Sequence, residues 1–224
     1  MRERTADGFV LIVVLLAIML LSALGSALVL TTSTESRIAA NFGSSAEGLD
    51  AAEAIVELSL AEIVAVPDWN QLLSGAIRSS FVDGAPTGSR QLADGSVIDL
   101  SQVVNMANCE APTACAAADM DLTTADRPWG PNNPRWTLFA HGRLPDVLPG
   151  RIESPYYVIL LVADDPAEND NDPATDGSRG TNPGSGVIAL RAEAFGAGGA
   201  HKGVELTVTR DGGIARVLTW HELR

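Results

Sequence analysis

An uncharged apolar run of 22 residues, from Phe9 to Leu30, lies close to the start of the chain. A helix that crosses a bilayer needs about 20 apolar residues at a rise of about 1.5 Å per residue, and this run is long enough. Backbone groups inside hydrocarbon have no water to bond, so the run must pair its own N–H and C=O groups and is predicted to be an α-helix. The sequence therefore predicts a chain attached to a membrane by one helix.

The flanking charges indicate the orientation of this helix. Residues 1–8 contain two arginines and two acidic residues, and positive charges beside a membrane helix tend to stay in the cytoplasm, whereas acidic residues count little. We therefore place the N-terminus in the cytoplasm and the chain from Glu35 onward on the other side. The alternative is a signal peptide cut within residues 22–26, although the apolar core of such a peptide is usually about 7–15 residues long.

The helical pattern continues beyond the apolar run. Residues 31–66 contain no proline, and their apolar positions recur every three or four residues, at Ile38, Phe42, Ala46, Leu49, Ala52, Val56, Leu60 and Ile63. Pro67 ends the pattern, because proline disfavours helical backbone in the residue before it. The sequence predicts one long helix, lipid-compatible over residues 9–30 and amphipathic over residues 31–66, whose stripe from Leu49 to Ile63 packs on the rest of the protein.

Residues 67–224 are numerous enough to form one globular head with its own core. Strand-like runs cover residues 96–100, 136–141 and 156–163, and alternating segments separated by glycine-rich turns follow. Residues 156–222 are predicted to form a four-stranded antiparallel meander. The predicted fold class is α+β, a long N-terminal helix packed on an antiparallel sheet, with these side chains buried: Val187, Ala189, Val204, Leu206 and Val217.

Charge and motifs exclude several classes of function. The chain has 28 acidic and 15 basic residues, a net charge of −13, and it lacks the basic patch that nucleic-acid binding requires. The three histidines are widely separated, and no nucleophile-elbow, zinc-protease or phosphate-loop motif occurs. We expect neither catalysis nor a nucleic-acid partner, and we interpret the histidines and the four tryptophans as ordinary packing residues.

Three short patterns surround the membrane run. Gly8-Phe9 lies immediately before it, and the segment from Thr31 to Ala54 contains two boxes, E-x-R-x-A-x-N and A-A-E-A. The boxes place functional candidates at Glu35, Arg37, Asn41, Ala51, Ala52 and Glu53. This arrangement, with the long helix in register, resembles the N-terminal region of PilX-like minor pilins, within the type IV pilin and pseudopilin superfamily.

The resemblance implies a pilin-like fold and a role in assembly. It implies that residues 1–8 are a leader, which a prepilin peptidase removes between Gly8 and Phe9 before methylating the new amine. It also implies an inner-membrane subunit with a periplasmic head that later reaches the pilus and the cell surface. The implied partners are other minor and major pilins and the inner-membrane assembly machinery.

One departure from the major pilins narrows this expectation. Most major pilins carry glutamate five residues after the cut, where this chain has Val13. A carboxylate at membrane depth needs a partner, so a subunit without it suits the tip, where no subunit lies beyond. The alternatives are a K-type minor pseudopilin of a type II secretion system, which shares the absence, and a membrane-anchored periplasmic enzyme or binding protein, which needs convergent polar groups in a pocket.

A pair of cysteines could form a disulfide cross-link. Cys109 and Cys115 are six residues apart, with no neighbouring histidine to complete a zinc site. In the periplasm, which permits disulfides, we expect a bridge, and two free thiols are the alternative.

The acidic segment 164–178 contains oxygen donors that could serve calcium, which takes 6–8 oxygen ligands. The candidate ligands are Asp164, Asp165, Asn169, Asp170, Asp172 and Asp176, with Glu168 in the same segment. The spacing does not match an EF-hand. We interpret the segment as a solvated hairpin loop that needs no cofactor. A calcium site is the alternative, since some pilins bind calcium in strand-connecting loops.

Overall fold

A single helix, α1 (Ala6–Ala65), forms the N-terminal part of the fold in a computed structural model of the protein. The structure describes residues 6–147, 150, 153–168, 172–177 and 186–223. The predicted long helix is confirmed, and it ends just before Pro67. The chain divides into two compact units, Met1–Ser44 and Ser45–Arg224, and α1 contributes to both.

In the first unit α1 exposes its apolar residues. Every described side chain from Phe9 to Phe42 is exposed. Mean hydropathy reaches 2.8 over an 18-residue window of α1, and none of that window is buried. Among the residues that the structure describes, one helix is therefore long and apolar enough to span a membrane.

The second unit combines the end of α1 with short helices and two sheets. Between α1 and the main sheet lie α2 (Asn70–Leu73), β1 (Ser89–Gln91), β2 (Val97–Asp99), α3 (Leu100–Cys109) and α4 (Ala117–Met120). The main sheet comprises β3 (Thr137–Arg143), β4 (Tyr157–Asp164), β5 (Val187–Phe195), β6 (His201–Asp211) and β7 (Ile214–Leu223), with α5 (Leu144–Val147) after β3. β1 and β2 form a separate hairpin.

The main sheet is an antiparallel meander in the order β3-β4-β5-β6-β7. The predicted four-stranded meander is confirmed as β4–β7, and the strand predicted over residues 136–141 joins it as a fifth strand. Gly212 and Gly213 form the β6–β7 turn with φ of +58° and +86°, a backbone region that glycine enters at little cost. Strands that follow one another in the sequence pair throughout, and short turns join β5 to β6 and β6 to β7.

One face of the sheet packs on the C-terminal part of α1. The buried helix positions recur every three or four residues and are Ala51, Ala52, Ile55, Val56, Ser59 and Ile63. The apolar residues among them form one hydrophobic cluster with strand residues such as Leu160, Leu190 and Leu206. The predicted packing of α1 on the sheet is confirmed, with Leu49 and Leu60 at its margins.

Polar contacts fix the end of α1 to the sheet. Arg210 of β6 donates hydrogen bonds to the carbonyls of Val66 and Pro67, and its guanidinium lies 4.8 Å from the Trp69 ring centroid. The Trp69 indole donates to the Ile63 carbonyl at 3.0 Å. Carbonyls at a helix C-terminus lack intrahelical donors, and a cation there also interacts favourably with the helix dipole.

The other face of the sheet is covered only in part. Residues Leu100, Val103 and Ala107 of α3 pack with Trp136 on strand residues that include Ile159, Leu161 and Ala189. Asp99 caps α3 by accepting from the amides of Ser101 and Gln102. This cover lies over β4 and the adjoining part of β5, which leaves polar residues of β5 and β6 facing a cleft.

The predicted core is correct in its centre and wrong at its edge. Ala189, Val204 and Leu206 are buried, but Val187 is half-buried and Val217 is 47% exposed. Val217 lies on β7, which pairs only with β6 at the edge of the sheet. The alternation of β7 correctly predicts a strand there, yet this strand lies beyond the main area covered by α1.

Candidate functional site

The proposed processing junction lies in the first turns of α1. Gly8 and Phe9 belong to the helix that begins at Ala6, and the Phe9 side chain is 70% exposed. Val13 is 47% exposed among other apolar side chains. The structure therefore places the junction at the start of an exposed apolar helix surface, a surface of the kind that lipid or neighbouring helices cover.

The two boxes occupy different units. Glu35, Arg37 and Asn41 are exposed on the part of α1 in the first unit, where Glu35 and Arg37 make no ion pair within the described chain. Ala51 and Ala52 are buried against the sheet, and Glu53 is half-buried. The first box is thus available for contacts with other chains, whereas the alanines of the second box allow α1 to approach its own head.

A disulfide joins Cys109, the last residue of α3, to Cys115, with a Cα–Cα distance of 5.9 Å. Between the two cysteines Glu110 adopts a left-handed conformation, with φ of +58°, as the helix ends. The bridge ties the end of α3 to the loop that leads to α4.

The acidic segment brings three carboxylates together. Oxygen atoms of Asp164, Glu168 and Asp176 all lie within 4.8 Å of one another, and all three residues are buried. Asp176 is positioned by hydrogen bonds: its amide donates to Asn70 Oδ1 at 2.8 Å, and its Oδ1 accepts from the Gly186 amide at 2.7 Å. Three neighbouring carboxylates suit a hard cation such as calcium.

The predicted ligand set differs from this trio. Asp165 and Asp172 do not join it; each accepts a local backbone amide, from Ala167 and Ala174 respectively. The predicted ligands Asn169 and Asp170 lie outside the described residues. Glu168 takes a central position because the turn after β4 folds back on the end of that strand. The calcium interpretation stays a prediction.

A cleft of about 440 Å³, here called the outer cleft, lies between α3, the segment 126–136 and the uncovered face of β5 and β6. Its apolar wall includes Met106, Trp129 and Trp136. Its charged floor comes from alternate residues of the strands, Arg191, Glu193 and Glu205. The Asn108 side chain steadies the wall by bonding both the amide and the carbonyl of Trp136, at 2.7 and 2.9 Å.

Glu193 is held at the cleft floor by two basic neighbours. Arg191 Nε donates to its Oε1 at 2.7 Å, and the His201 ring donates to its Oε2 at 2.8 Å. The His201 ring also stacks on Phe195, with centroids 4.6 Å apart. Burial alone would raise the pKa of Glu193, but the His201 hydrogen bond and the Arg191 charge outweigh it, and the pKa lies below its ordinary value. Glu193 therefore stays ionised while only 4% exposed.

Glu205 is in a different environment on the next strand. It lies opposite Arg191 in the strand register and 4.0 Å from His221 Nε2. Burial raises its pKa, although the charges of Arg191 and His221 oppose that effect. Within the described chain no hydrogen bond reaches its carboxylate, so one floor carboxylate is satisfied and its neighbour is not.

Arg127 supports the cleft from beneath its wall. It is 5% exposed, and its Nη2 donates to the Met120 carbonyl at 2.7 Å. Burial lowers its pKa, and the neighbouring charge of Arg135 acts in the same direction. Its guanidinium therefore serves mainly to hold the loop around α4.

A second buried polar network lies on β3. His141 Nδ1 lies 3.2 Å from the Tyr157 hydroxyl, which donates to Asp83 Oδ2 at 3.3 Å, and Arg90 pairs with Asp83. Burial lowers the pKa of His141 to about 4, assisted by the Arg90 charge. Burial also raises the pKa of the Tyr157 hydroxyl. This network joins the loop before β1 to the sheet through uncharged His141.

Sequence reasoning did not find the outer cleft, and it expected no convergent polar cluster. The available signal was the alternation of β5 and β6, which places Arg191, Glu193 and Glu205 on one face. Trp69 and Trp136 are buried, as interpreted from the sequence, and Trp136 also lines the cleft. Trp129 and Trp220 are 42% and 48% exposed, so their interpretation as packing residues is wrong. Comparisons with protein-family models, curated proteins and solved structures find no match to this chain.

Proposed function

We propose that the protein is a PilX-like minor pilin, a structural subunit of a type IV pilus in the tip complex that initiates assembly. One observation carries the proposal: the same helix exposes an apolar surface over Phe9–Leu30 and packs its C-terminal part on an antiparallel meander. A membrane anchor alone would not need to continue as a structural helix of the head. A filament subunit does, because the helix links the lipid-soluble segment to the head.

The physical basis is replacement of lipid by other helices. About 20 apolar residues leave a bilayer only when neighbouring apolar helices cover them again. The exposed Glu35 and Arg37, just beyond this segment, can pair with charges on adjacent subunits. Val13 adds no buried charge that a subunit above would have to neutralise, which favours a terminal position over the stacked position of a major pilin.

This function brings specific partners and processing. A prepilin peptidase removes residues 1–8 and methylates Phe9, and the inner-membrane machinery then transfers the subunit to the other pilins. The short head helices, 4 and 10 residues long between α1 and the sheet, favour a pilus subunit over a K-type pseudopilin with a large helical insertion.

Changing Gly8→Ala tests the proposal. Intact-mass analysis of the membrane form should show loss of residues 1–8 and gain of one methyl group in the wild type, but the complete chain in the variant. The variant should also be absent from sheared filaments. Gly25→Ala is the matched control, because it is the same change in α1 and no atom lies within 4 Å of the added Cβ.

The control should be processed like the wild type. A mature chain that starts near Ser26, or normal processing of Gly8→Ala, would contradict the proposal.

A further inference from the structure

The outer cleft has the dimensions and lining of a ligand-binding site. Its volume of about 440 Å³ falls in the range of about 300–1,000 Å³ that is usual for small-ligand pockets. Such pockets combine apolar walls with a few placed polar groups, and here Met106 and Trp129 face the charged residues of β5 and β6. The cleft lies entirely in the second unit, on the sheet face opposite α1.

The charges around the cleft favour a cation. Five carboxylates and two guanidinium groups line it, an excess of three negative charges; they belong to Asp99, Glu110, Asp126, Glu193, Glu205, Arg127 and Arg191. Several of the carboxylates already have donors in the protein. Asp99 caps α3, Glu110 accepts from Thr124, and Glu193 accepts from Arg191 and His201.

Among the described residues, Asp126 and Glu205 are the lining carboxylates that accept no hydrogen bond; Asp126 is exposed, so of the two only Glu205 is partly buried. Arg191 lies opposite it, but the Arg191 Nε–H is directed to Glu193, and His221 is 4.0 Å away. The side chain is only 19% exposed, so solvent reaches it only in part. A partly buried carboxylate that accepts no hydrogen bond from the described chain can accept a strong one from an incoming charged N–H group.

The apolar wall suits the rest of such a ligand. Met106 and Trp129 are 46% and 42% exposed, large values for side chains of this type. The aliphatic stem of an arginine or lysine can cover apolar surface, and a cation is attracted to the face of an indole ring. We propose that the outer cleft binds a basic group, a guanidinium or an ammonium on an aliphatic stem, with Glu205 as the ion-pairing residue. This inference does not depend on the pilus proposal.

The test uses the full chain in detergent micelles and four small probes. N-acetylarginine amide and N-acetyllysine amide carry the proposed cations, N-acetylleucine amide is neutral and apolar, and N-acetylglucosamine is a neutral sugar. Binding is measured by calorimetry and tryptophan fluorescence. At least one cationic probe should bind more tightly than both neutral probes, and its affinity should fall with added salt, because the floor pairing is electrostatic.

Glu205→Gln should weaken binding of the cationic probe about tenfold or more, since it removes the charge but keeps the shape. Trp129→Ala should weaken it several-fold. Glu57→Gln is the matched control, because Glu57 is an exposed carboxylate on α1 away from the cleft. This variant should bind the cationic probe with the same affinity as the wild type. Binding of the arginine probe alone, or of both cationic probes, supports the proposal and identifies the preferred cation. The proposal is overturned if neither cationic probe binds, if a neutral probe binds equally well, or if Glu205→Gln leaves the affinity unchanged.

Discussion

Gly196→Ala tests the packing between α1 and the turn that supports the outer cleft. Gly196 follows β5 and has an extended backbone, with φ of −118° and ψ of −177°, which any residue can adopt. A Cβ built there would lie 2.6 Å from Cε1 and 2.9 Å from Cζ of Tyr156. Tyr156 is 2% exposed in the cluster between α1 and the sheet, and its ring also lies 3.1 Å from a Cβ built at Gly48. The ring therefore has little room to move.

The expected magnitude follows from two opposing effects. Overpacking a core typically costs about 1–3 kcal/mol. Replacing glycine by alanine at a permissive backbone gains about 0.4–1 kcal/mol, because the unfolded chain loses freedom. We expect a net loss of about 1–2 kcal/mol, which lowers the Tm by roughly 2–8 °C for a unit of this size.

A double-mutant cycle isolates the contact with Tyr156. Tyr156→Leu removes the Cε1 and Cζ atoms that the new methyl would meet and keeps an apolar side chain in the core. In that background Gly196→Ala should be neutral or stabilising by up to about 1 kcal/mol, so the coupling energy should be about 1–3 kcal/mol. Denaturant unfolding of the four full-length proteins in one detergent, followed by tryptophan fluorescence, supplies the free energies of unfolding.

Two results would refute this reasoning. The first is a Gly196→Ala protein as stable as the wild type. The second is an equal loss in both Tyr156 and Leu backgrounds, which would place the cost in the turn backbone and not at the ring. Either result would mean that α1 and the β5–β6 turn are not locked together through Tyr156.

Two further predictions concern buried polar groups. The pKa of His141 is about 4 in the folded protein, against an ordinary value of 6.5. Between these two pH values the unfolded chain therefore binds a proton that the folded chain does not. The free energy of unfolding should fall by on the order of 2 kcal/mol as the pH drops from 6.5 to 4. His141→Gln should flatten that part of the stability profile, and an unchanged slope would show that another group is responsible. If the trio around Glu168 holds calcium, adding Ca²⁺ at one hundred times its Kd should stabilise the wild type by about 2.7 kcal/mol but not Glu168→Gln. Asp172→Asn, a matched change at an exposed position, should keep the response, and a wild type without a calcium-dependent Tm would contradict the metal prediction.

Local patterns were sufficient for the regular elements. The recurrence of apolar residues every three or four positions identified α1 and the stripe that packs on the sheet, an apolar run identified β4, and alternation identified β5–β7. The Gly212-Gly213 pair predicted a turn, because glycine readily adopts the positive φ that this turn requires. These features depend on residues close together in the chain, where periodicity and backbone geometry act directly.

The exceptions depend on which element covers which surface. The alternation at Val217 resembles that at Val204, but only Val204 lies under α1, because β7 is the edge strand. The acidic segment was recognised as a candidate site, yet Glu168 joins Asp164 and Asp176 only because the chain returns to the end of β4. No local sequence pattern predicts that the chain comes back to the end of β4.

The sequence by itself determined that this chain has a membrane-compatible helix continuing into an amphipathic one, followed by an antiparallel sheet, since hydrophobic burial imposes those periods on the chain. The tertiary structure alone decided that the strand residues Arg191 and Glu205 lie under a wall formed by Met106 and Trp129. These residues are far apart in the sequence, and their meeting depends on strand register and on α3 covering only part of the sheet. A side chain's position on a strand is a local property, but what lies above it is set by the packing of the whole head.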